Sequence, residues 1–344
     1  MAKVRGYQNY RGRTSRWKIA AAVVLVLVIL VSAGVIVLQR YVFYDDSGRP
    51  KMELPGKTED PILPEEIELD IQEPEEKPVP ESGKTVWLTT AEGPLTKAAL
   101  EAARAEGLTD GKPTAVTLRT QGMVQFNSSA ALMDAIRVQP DTGEALAELE
   151  ETASGTTALF GCFQDRLAAA SDVEGMGLKN TGGYIFYDGG NRNWLDPSKE
   201  GTRNYLGRQL VEIAALGFDE IILTEFTFPT EGKLNKIAYP AEGRQESLNG
   251  FLKAMRTVLD EGGYPQVRLS VALNESDILA GGNDAAGIDL KAVAGLADAV
   301  YARTGLEGIG ALDAAVKATG GSFVPILPAG TAVPEDQTCL LTNG

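Results

Sequence analysis

The most apolar run in the chain lies close to its N-terminus. Residues 19–38 (IAAAVVLVLVILVSAGVIVL) carry no charge, and Ser32 is their only polar residue. A bilayer core needs about 20 apolar helical residues. A secretory signal peptide usually has a shorter apolar region of about 7–15 residues and a small-residue cleavage site. Since this run is longer and is followed by Gln39-Arg40-Tyr41, we predict an uncleaved transmembrane helix over residues 19–38.

Charge predicts the orientation of that helix. Residues 1–18 contain six basic residues and no acidic one. The positive-inside rule places such a tail in the cytoplasm, and an anionic inner leaflet would attract it. We therefore expect a single-pass plasma-membrane protein whose N-terminus is cytoplasmic and whose remaining chain is extracytoplasmic.

Residues 39–84 have the composition of a linker. From Tyr44 to Lys84 prolines alternate with acidic residues and few apolar ones. Such a segment cannot bury enough apolar surface to fold, and proline keeps it extended. We predict a disordered, acidic spacer that holds the following domain away from the membrane.

From Thr85 onward, strand-like and helix-like patterns alternate. The predicted strands are Val86–Thr90, Ala115–Arg119, Thr157–Phe163, Glu220–Phe226, Val267–Leu273, Ala299–Ala302, Phe323–Leu327 and Thr338–Leu341. Helical patterns occupy Leu95–Glu106, Ala145–Thr152, Thr202–Leu216, Gln245–Glu261, Leu290–Leu296 and Gly308–Thr319. Repeated alternation predicts parallel pairing, and about eight strands fit a (β/α)₈ TIM-like barrel over residues 85–344. A doubly wound open sheet is the alternative, although no Gly-rich phosphate loop follows a strand.

Composition excludes several function classes. The net charge is −15, and the basic excess lies in residues 1–18, so the external part is strongly acidic. Such a surface argues against nucleic-acid partners. The chain has no histidine, which excludes His-based triads and His-ligated metals, and we expect no cofactor or metal. Cys162 and Cys339 lie in apolar, strand-like runs and are expected to be buried thiols.

Candidate catalytic residues follow from the predicted fold, because barrel enzymes act at the C-terminal ends of their strands. Glu225, Glu275 and Asp165 lie at such ends. Glycoside hydrolysis usually requires one carboxylic acid as proton donor and a second carboxylate as nucleophile or base. Side chains alternate along a strand, so Thr224 and Glu225 are not both expected to face the barrel centre. The competing interpretation is that these acids are solvated loop residues.

Candidate substrate-binding residues come from strand ends and from one long connection. Arg119, Tyr301 and Arg303 lie at predicted strand ends, and Tyr187 and Trp194 lie in the connection after the third strand. Aromatic faces are large and partly polar, which suits sugar binding. Alternatively, the aromatic residues pack this connection onto the barrel rim.

One block of motifs comprises Asn193–Pro197 (with a W-L-D-P element), the helix Thr202–Leu216, Gly217–Ile221 and Phe228-Pro229. This block resembles the glycoside-hydrolase domain family of bacterial envelope proteins. Phe163-Gln164-Asp165 is similar to the F-K-D element of that family. The resemblance implies a barrel related to the α-amylase-like glycosidases and a carbohydrate substrate.

The chain departs from that family where charge is expected. Thr224 stands at the Asp of the family's F-D-Y element, Thr227 at the Arg of R-F-P, and Ala272 at the Asp of S-A-D-V. Arg119 and Gln121 replace charged residues of the second-strand segment. Each change affects a strand end, where charge would assist glycosidic cleavage. Because Glu225 is one position later than the missing Asp, it is expected to point away from the centre unless a bulge shifts it.

The sequence supports three hypotheses for the function. In the first, the chain is an active hydrolase with a relocated site, in which Glu275 or Asp165 donates the proton and Glu225 is the nucleophile or base. In the second, it is a non-catalytic barrel that binds envelope glycan or another envelope protein. The third is a structural envelope protein with no ligand.

Overall fold

A computed structural model describes residues 42–44, 50–52, 84–88, 93–107, 110–238, 241–332 and 338–342. The chain divides into two compact units, Met1–Pro74 and Glu75–Gly344. In the first unit, Val42–Tyr44 pairs antiparallel with Pro50–Met52. The predicted cytoplasmic tail, the predicted membrane helix at residues 19–38 and most of the predicted linker lie outside the described residues. Among those that are described, no helix combines the length and apolarity needed to span a bilayer.

In the described part of the second unit, eight main strands alternate with helices. The strands are β1 (Lys84–Leu88), β2 (Pro113–Thr120), β3 (Gly155–Gly161), β4 (Glu220–Thr224), β5 (Arg268–Ala272), β6 (Val300–Arg303), β7 (Phe323–Pro328) and β8 (Cys339–Thr342). The helices are α1 (Lys97–Ala105), α2 (Thr142–Thr152), α3 (Arg166–Ser171), α4 (Glu200–Ala215), α5 (Ala241–Glu261), α6 (Glu275–Leu279), α7 (Leu290–Leu296) and α8 (Ile309–Lys317).

These eight strands form one curled, parallel sheet. Each strand pairs with the next along the chain, and β1 pairs with β8 as well as with β2. The order shows none of the reversal that defines a doubly wound sheet. The predicted α/β fold with a barrel-like sheet is confirmed, and the predicted strands are all present with ends that differ by a few residues.

Three short elements follow strand ends, and the sequence pattern predicts the first of them, a small hairpin extension of the second strand at Met123–Phe126. Met123–Val124 pairs antiparallel with the end of β2 through a two-residue turn at Gln121 and Gly122. Both turn residues have positive φ, 47° and 78°, as a type I′ hairpin turn requires. The helices α3 and α6 are only six and five residues long. They are too short to show a helical period in the sequence.

Packing on both faces of the sheet fixes the strand ends. All seven residues of β3 are buried. Outside the sheet, Phe163, Phe226 and Phe251 stack together, with ring centroids 4.8 to 6.3 Å apart. Inside the curl, a separate apolar cluster comprises Ala115, Leu159, Ile222, Ala299, Tyr301, Val324, Ile326 and Leu340. Such close packing on two sides holds the side chains at the C-terminal strand ends in defined positions.

Candidate functional site

A cleft of about 340 Å³ lies at the C-terminal ends of the strands. It is lined by Thr117, Arg119, Thr120, Leu159, Thr224, Glu225, Ala272, Leu273, Asn274, Glu275, Arg303 and Ile326. These residues come from β2 to β7, so the cleft is open at the centre of the sheet's curl. In barrel enzymes this end of the strands carries the active site. Four of the residues predicted for the site, Arg119, Glu225, Glu275 and Arg303, share this one cleft.

Glu225 lies in the cleft because the chain leaves the strand conformation there. The prediction that Thr224 and Glu225 would not both face the centre was wrong, since both residues line the cleft. Strand alternation stops at Thr224, the last residue of β4. Glu225 has a φ of 51°, which is unusual for a residue with a side chain. This left-handed backbone conformation returns the carboxyl group toward the centre.

The Glu225 carboxylate is held by the turn that follows β2. The backbone N–H of Gln121 donates to both carboxylate oxygens, at 3.0 and 3.2 Å, and the Thr120 hydroxyl donates at 3.2 Å. Burial raises the pKa of Glu225 above its ordinary value, against the lowering effects of the Gln121 N–H and of the Arg119 charge. A half-buried carboxyl with a raised pKa can carry a proton closer to neutral pH.

Glu275 approaches the cleft from the neighbouring strand. It is the first residue of α6, three residues beyond the end of β5, and its side chain is half-buried. A hypothetical Cβ on Gly308 would lie 3.2 Å from its Oε1 atom, so the chain before α8 passes close by. Arg303 is exposed at the end of β6 and lines the same cleft. The opening therefore combines two carboxylates with one exposed guanidinium.

Asp165 occupies a different position, beside the cleft and out of contact with solvent. Its Oδ2 atom accepts a 2.5 Å hydrogen bond from Arg119, and both side chains are fully buried. Its Oδ1 atom accepts from the N–H of Ala168, which caps α3. The Nη1 atom of Arg119 donates to the carbonyl oxygens of Gly161 and Cys162. This arrangement makes Asp165 a partner of Arg119 and a helix cap, and it leaves no access to a substrate.

Comparison with known proteins supports the resemblance seen in the sequence. Residues 114–278 match the family model described as "Putative glycosyl hydrolase domain". The chain carries a glycoside-hydrolase-like domain. No curated protein has a sequence that matches this chain.

Two solved structures share the fold of this glycoside-hydrolase-like domain. The PgaB (BpsB) glycoside hydrolase domain from Bordetella bronchiseptica is 14% identical, with a TM-score of 0.54, over 72% of this chain and 84% of that one. The cycloisomaltooligosaccharide glucanotransferase of a Paenibacillus species, complexed with cycloisomaltoheptaose, is 15% identical, with a TM-score of 0.50. That match covers 72% of this chain and 38% of the glucanotransferase. At these identities the likeness shows the fold alone.

The aromatic residues predicted for sugar binding do not line the cleft of this domain. Trp194 is buried, and its indole N–H donates to Asp188 at 2.9 Å. The same carboxylate accepts from Arg192, so Trp194 and Asp188 stabilise the long connection between α3 and α4. Tyr187 lies on that connection with 52% of its surface exposed. The packing interpretation therefore describes Trp194, while Tyr187 remains a candidate contact on the rim.

Tyr301 is directed toward the opposite end of the strands. Its hydroxyl donates to Glu220 at 3.0 Å, and Glu220 is the first residue of β4. Ser270 donates to the other oxygen of that carboxylate at 2.5 Å. Burial and the Glu220 carboxylate raise the pKa of Tyr301 well above its ordinary value. Tyr301 thus stabilises the interior of the sheet, and the structure gives it no contact with the cleft.

Neither cysteine of the described part of the chain lines the cleft. Cys162 and Cys339 are both buried thiols, as predicted. Burial raises the pKa of Cys162 far above neutrality, which keeps it protonated and unreactive. Within the described residues no three side chains of His, Cys, Asp or Glu come together as metal ligands.

Proposed function

We propose that this chain is a membrane-anchored glycoside hydrolase that acts on cell-envelope or extracellular glycans from outside the membrane. The observation that carries the proposal is the presence of Glu225 and Glu275 in one cleft at the C-terminal strand ends. Glycoside hydrolysis usually requires two such carboxyl groups, which flank the scissile bond. The family match and the glycoside hydrolase fold favour a carbohydrate as the ligand.

The two carboxyl groups differ in environment, which assigns their roles in the proposal. The raised pKa of Glu225 makes it the proton donor to the glycosidic oxygen as the carbon–oxygen bond breaks. Glu275 is then the second carboxylate, which either attacks the anomeric carbon or removes a proton from the attacking water. The expectation that Asp165 or Glu275 donates the proton is revised, because Asp165 is buried against Arg119. Arg303 is placed to bind a sugar hydroxyl or carboxylate.

A second candidate function is glycan binding without turnover. Two strand-end positions that line the cleft carry the neutral residues Thr224 and Ala272. Moreover, the large apolar side chains that are exposed in the described residues lie, except for Leu216, in connections that follow strand C-termini: Met133, Tyr184, Tyr187, Leu279 and Leu306. These connections leave the same end of the strands as the cleft, and exposed apolar side chains at that end suit a binding face for an extended ligand.

Membrane attachment is part of the proposal and is supported by the sequence. The apolar run 19–38, the basic residues before it and the acidic, Pro-rich segment 39–84 have the order of a tail, an anchor and a spacer. Protease treatment of intact and lysed cells that express the full chain tests the orientation. We expect the C-terminal unit to be degraded in intact cells once the cell wall is removed; protection until lysis would contradict the proposed side of the membrane.

Hydrolysis by the full chain, purified in detergent, tests the catalytic role. The protein is incubated with bacterial envelope polysaccharides, and released reducing ends are measured. We expect turnover that falls about 100-fold or more in Glu225→Gln and in Glu275→Gln. The matched control is Glu246→Gln, which changes an exposed glutamate on α5 that does not line the cleft.

Three outcomes separate the candidates. Turnover that both variants abolish supports the hydrolase with these residues. Glycan binding without turnover by the wild-type protein supports the binding function instead. Turnover that survives in the Glu225→Gln, Glu275→Gln double variant would refute the assignment of the two carboxylates.

A further inference from the structure

Two residues with an uncommon backbone conformation contact each other at the cleft. Among the described residues, only Gln121, Asn191 and Glu225 have positive φ without being glycine. Gln121 and Glu225 belong to different strand ends, yet the Gln121 N–H donates to both Glu225 carboxylate oxygens. Such a conformation is unfavourable for a residue with a side chain and persists only when its surroundings enforce it. Because the two residues are joined by the hydrogen bonds from the Gln121 N–H, the position of the Glu225 carboxylate is constrained.

The turn that presents Gln121 is itself fixed by a close approach. Its second residue, Gly122, has a φ of 78°, and a Cβ there would lie 2.5 Å from Cγ of Asp165. Only glycine satisfies both conditions. The buried pair of Asp165 and Arg119 therefore determines where the turn lies, and the turn determines where the Gln121 N–H points.

Gly161, the last residue of β3, leaves the space that the Glu225 carboxyl occupies. A Cβ on Gly161 would lie 2.7 Å from Oε2 of Glu225 and 3.2 Å from the carbonyl oxygen of Arg119. Gly161 has no positive φ in this structure, so its backbone would accept a side chain. An alanine at position 161 would therefore place its Cβ in the space that the Glu225 carboxyl group occupies.

We propose that Gly161 and the turn Thr120–Met123 are positioning elements for Glu225. The turn supplies the N–H donor that holds the carboxyl group in the cleft, and Gly161 leaves the space that this group fills. Neither Gly161 nor Gln121 touches the reacting atoms of a substrate in this proposal. The inference deepens the proposed function and rests on it for the catalytic meaning of Glu225. The positioning itself is a property of the chain without ligand.

A double-mutant cycle on the full chain in detergent tests the positioning. Gly161→Ala should lower the Tm by roughly 3–6 °C in the wild-type background, because the Glu225 carboxyl must move. In the Glu225→Ala background the loss should be under half as large. For the control Gly295→Ala, where a Cβ on α7 would meet nothing within 4 Å, the change in Tm should be the same with or without Glu225.

A second cycle keeps the proposal testable if Gly161→Ala does not fold. Thr120→Val removes the hydroxyl that donates to Glu225 while retaining a side chain of similar shape. Its cost should also shrink in the Glu225→Ala background. Strict additivity within about 1–2 °C would overturn the proposal, whether it is found in both cycles or in the Thr120 cycle alone because Gly161→Ala does not fold.

A pH measurement separates positioning from simple crowding. In the wild type, the stability difference from Glu225→Gln should change between acidic and alkaline pH. The pH dependence of this stability difference should be smaller in the Gly161→Ala background, because the displaced carboxyl group loses its buried environment. An unchanged pH dependence would mean that Gly161 affects the backbone and not the position of the carboxyl group. Since every readout is stability, these results remain valid even when no hydrolysis is found, and the absence of turnover would refute the hydrolase function alone.

Discussion

The guanidinium of Arg119 donates a 2.5 Å hydrogen bond to the carboxylate of Asp165, and solvent reaches neither side chain. The guanidinium also stacks near the rings of Phe160 and Tyr205, at 5.2 and 5.9 Å from their centroids. A buried charge is tolerated only with such a partner, since removing it from water is costly. The pair joins the end of β2 to the segment that follows β3, so its role is to fix the wall of the cleft near Glu225.

Loss of the Asp165 charge should therefore destabilise the fold strongly. Asp165→Asn keeps a side-chain oxygen that can cap α3 but leaves Arg119 without an anionic partner. We expect the free energy of unfolding to fall by about 3–5 kcal/mol. Chemical denaturation of the full chain measures this, with Glu275→Gln as the control, for which the change should stay within about 0.5 kcal/mol. Similar small effects for both variants would contradict the structural role of Asp165.

The pKa of Glu225 predicts a pH-dependent contribution to stability. Because the folded-state pKa is raised above the ordinary value of 4.5, the folded state binds more protons than the unfolded state between those two values. The contribution of Glu225 is fully present below pH 4.5 and is lost as the pH rises through the raised pKa. Glu225→Gln lacks this titration. The stability of the variant relative to wild type should thus rise from acidic to alkaline pH.

Denaturation of both proteins at several pH values between about 4 and 8 tests this sign. The difference between the two proteins is the informative quantity, because the other acidic groups titrate in both. A difference that is constant with pH, or that falls as the pH rises, would show that burial does not dominate at Glu225.

Trp194 and Tyr187 should separate stability from glycan binding. Trp194→Phe removes the indole N–H that bonds the Asp188 carboxylate, and we expect a cost of about 1.5–3 kcal/mol with glycan binding unchanged. Tyr187→Ala should change stability by less than about 0.5 kcal/mol, because more than half of its surface is exposed. If Tyr187 contacts the ligand on the rim, this variant weakens glycan binding. Denaturation and a pull-down with insoluble envelope polysaccharide measure the two effects.

The succession of the strands could be predicted from the sequence because each strand is a short run rich in apolar and β-branched residues between turn residues. Every residue of Gly155–Gly161 is buried, and such a strand is visible without knowledge of its neighbours. The C-terminal ends of the strands then identify where Glu225, Glu275 and Arg303 lie. This local information sufficed to bring those residues to one cleft.

The directions of several side chains could not be predicted, because they depend on contacts between distant residues. Arg119 and Asp165 are 46 residues apart, and nothing in the sequence indicates that their charges neutralise each other in the interior. Glu225 faces the cleft only because its φ is positive, and the contact that stabilises this conformation comes from Gln121, 104 residues earlier. Trp194 is likewise directed inward by its hydrogen bond to Asp188. The sequence pattern predicted the long connection but not which of its aromatic side chains are buried.

Because Glu225 has a left-handed backbone conformation, we expect the usual order of stability of alanine and glycine variants to be reversed at this position. In a strand, glycine is less stable than alanine by about 0.5–1 kcal/mol. At position 225, with a φ of 51°, alanine retains the strain whereas glycine relieves it. We therefore expect Glu225→Gly to be more stable than Glu225→Ala by about 1 kcal/mol, although both lose the same carboxylate.

The matched control for this order is the preceding residue. Thr224 is the last residue of β4 and has no positive φ, so Thr224→Gly should be less stable than Thr224→Ala. Denaturation of the four variants under one condition provides the comparison. The same order at both positions would show that Glu225 is not held in the left-handed region, and its place in the cleft would then need another explanation. Opposite orders would establish that the fold maintains a strained backbone at the residue proposed to donate the proton, as active sites commonly do.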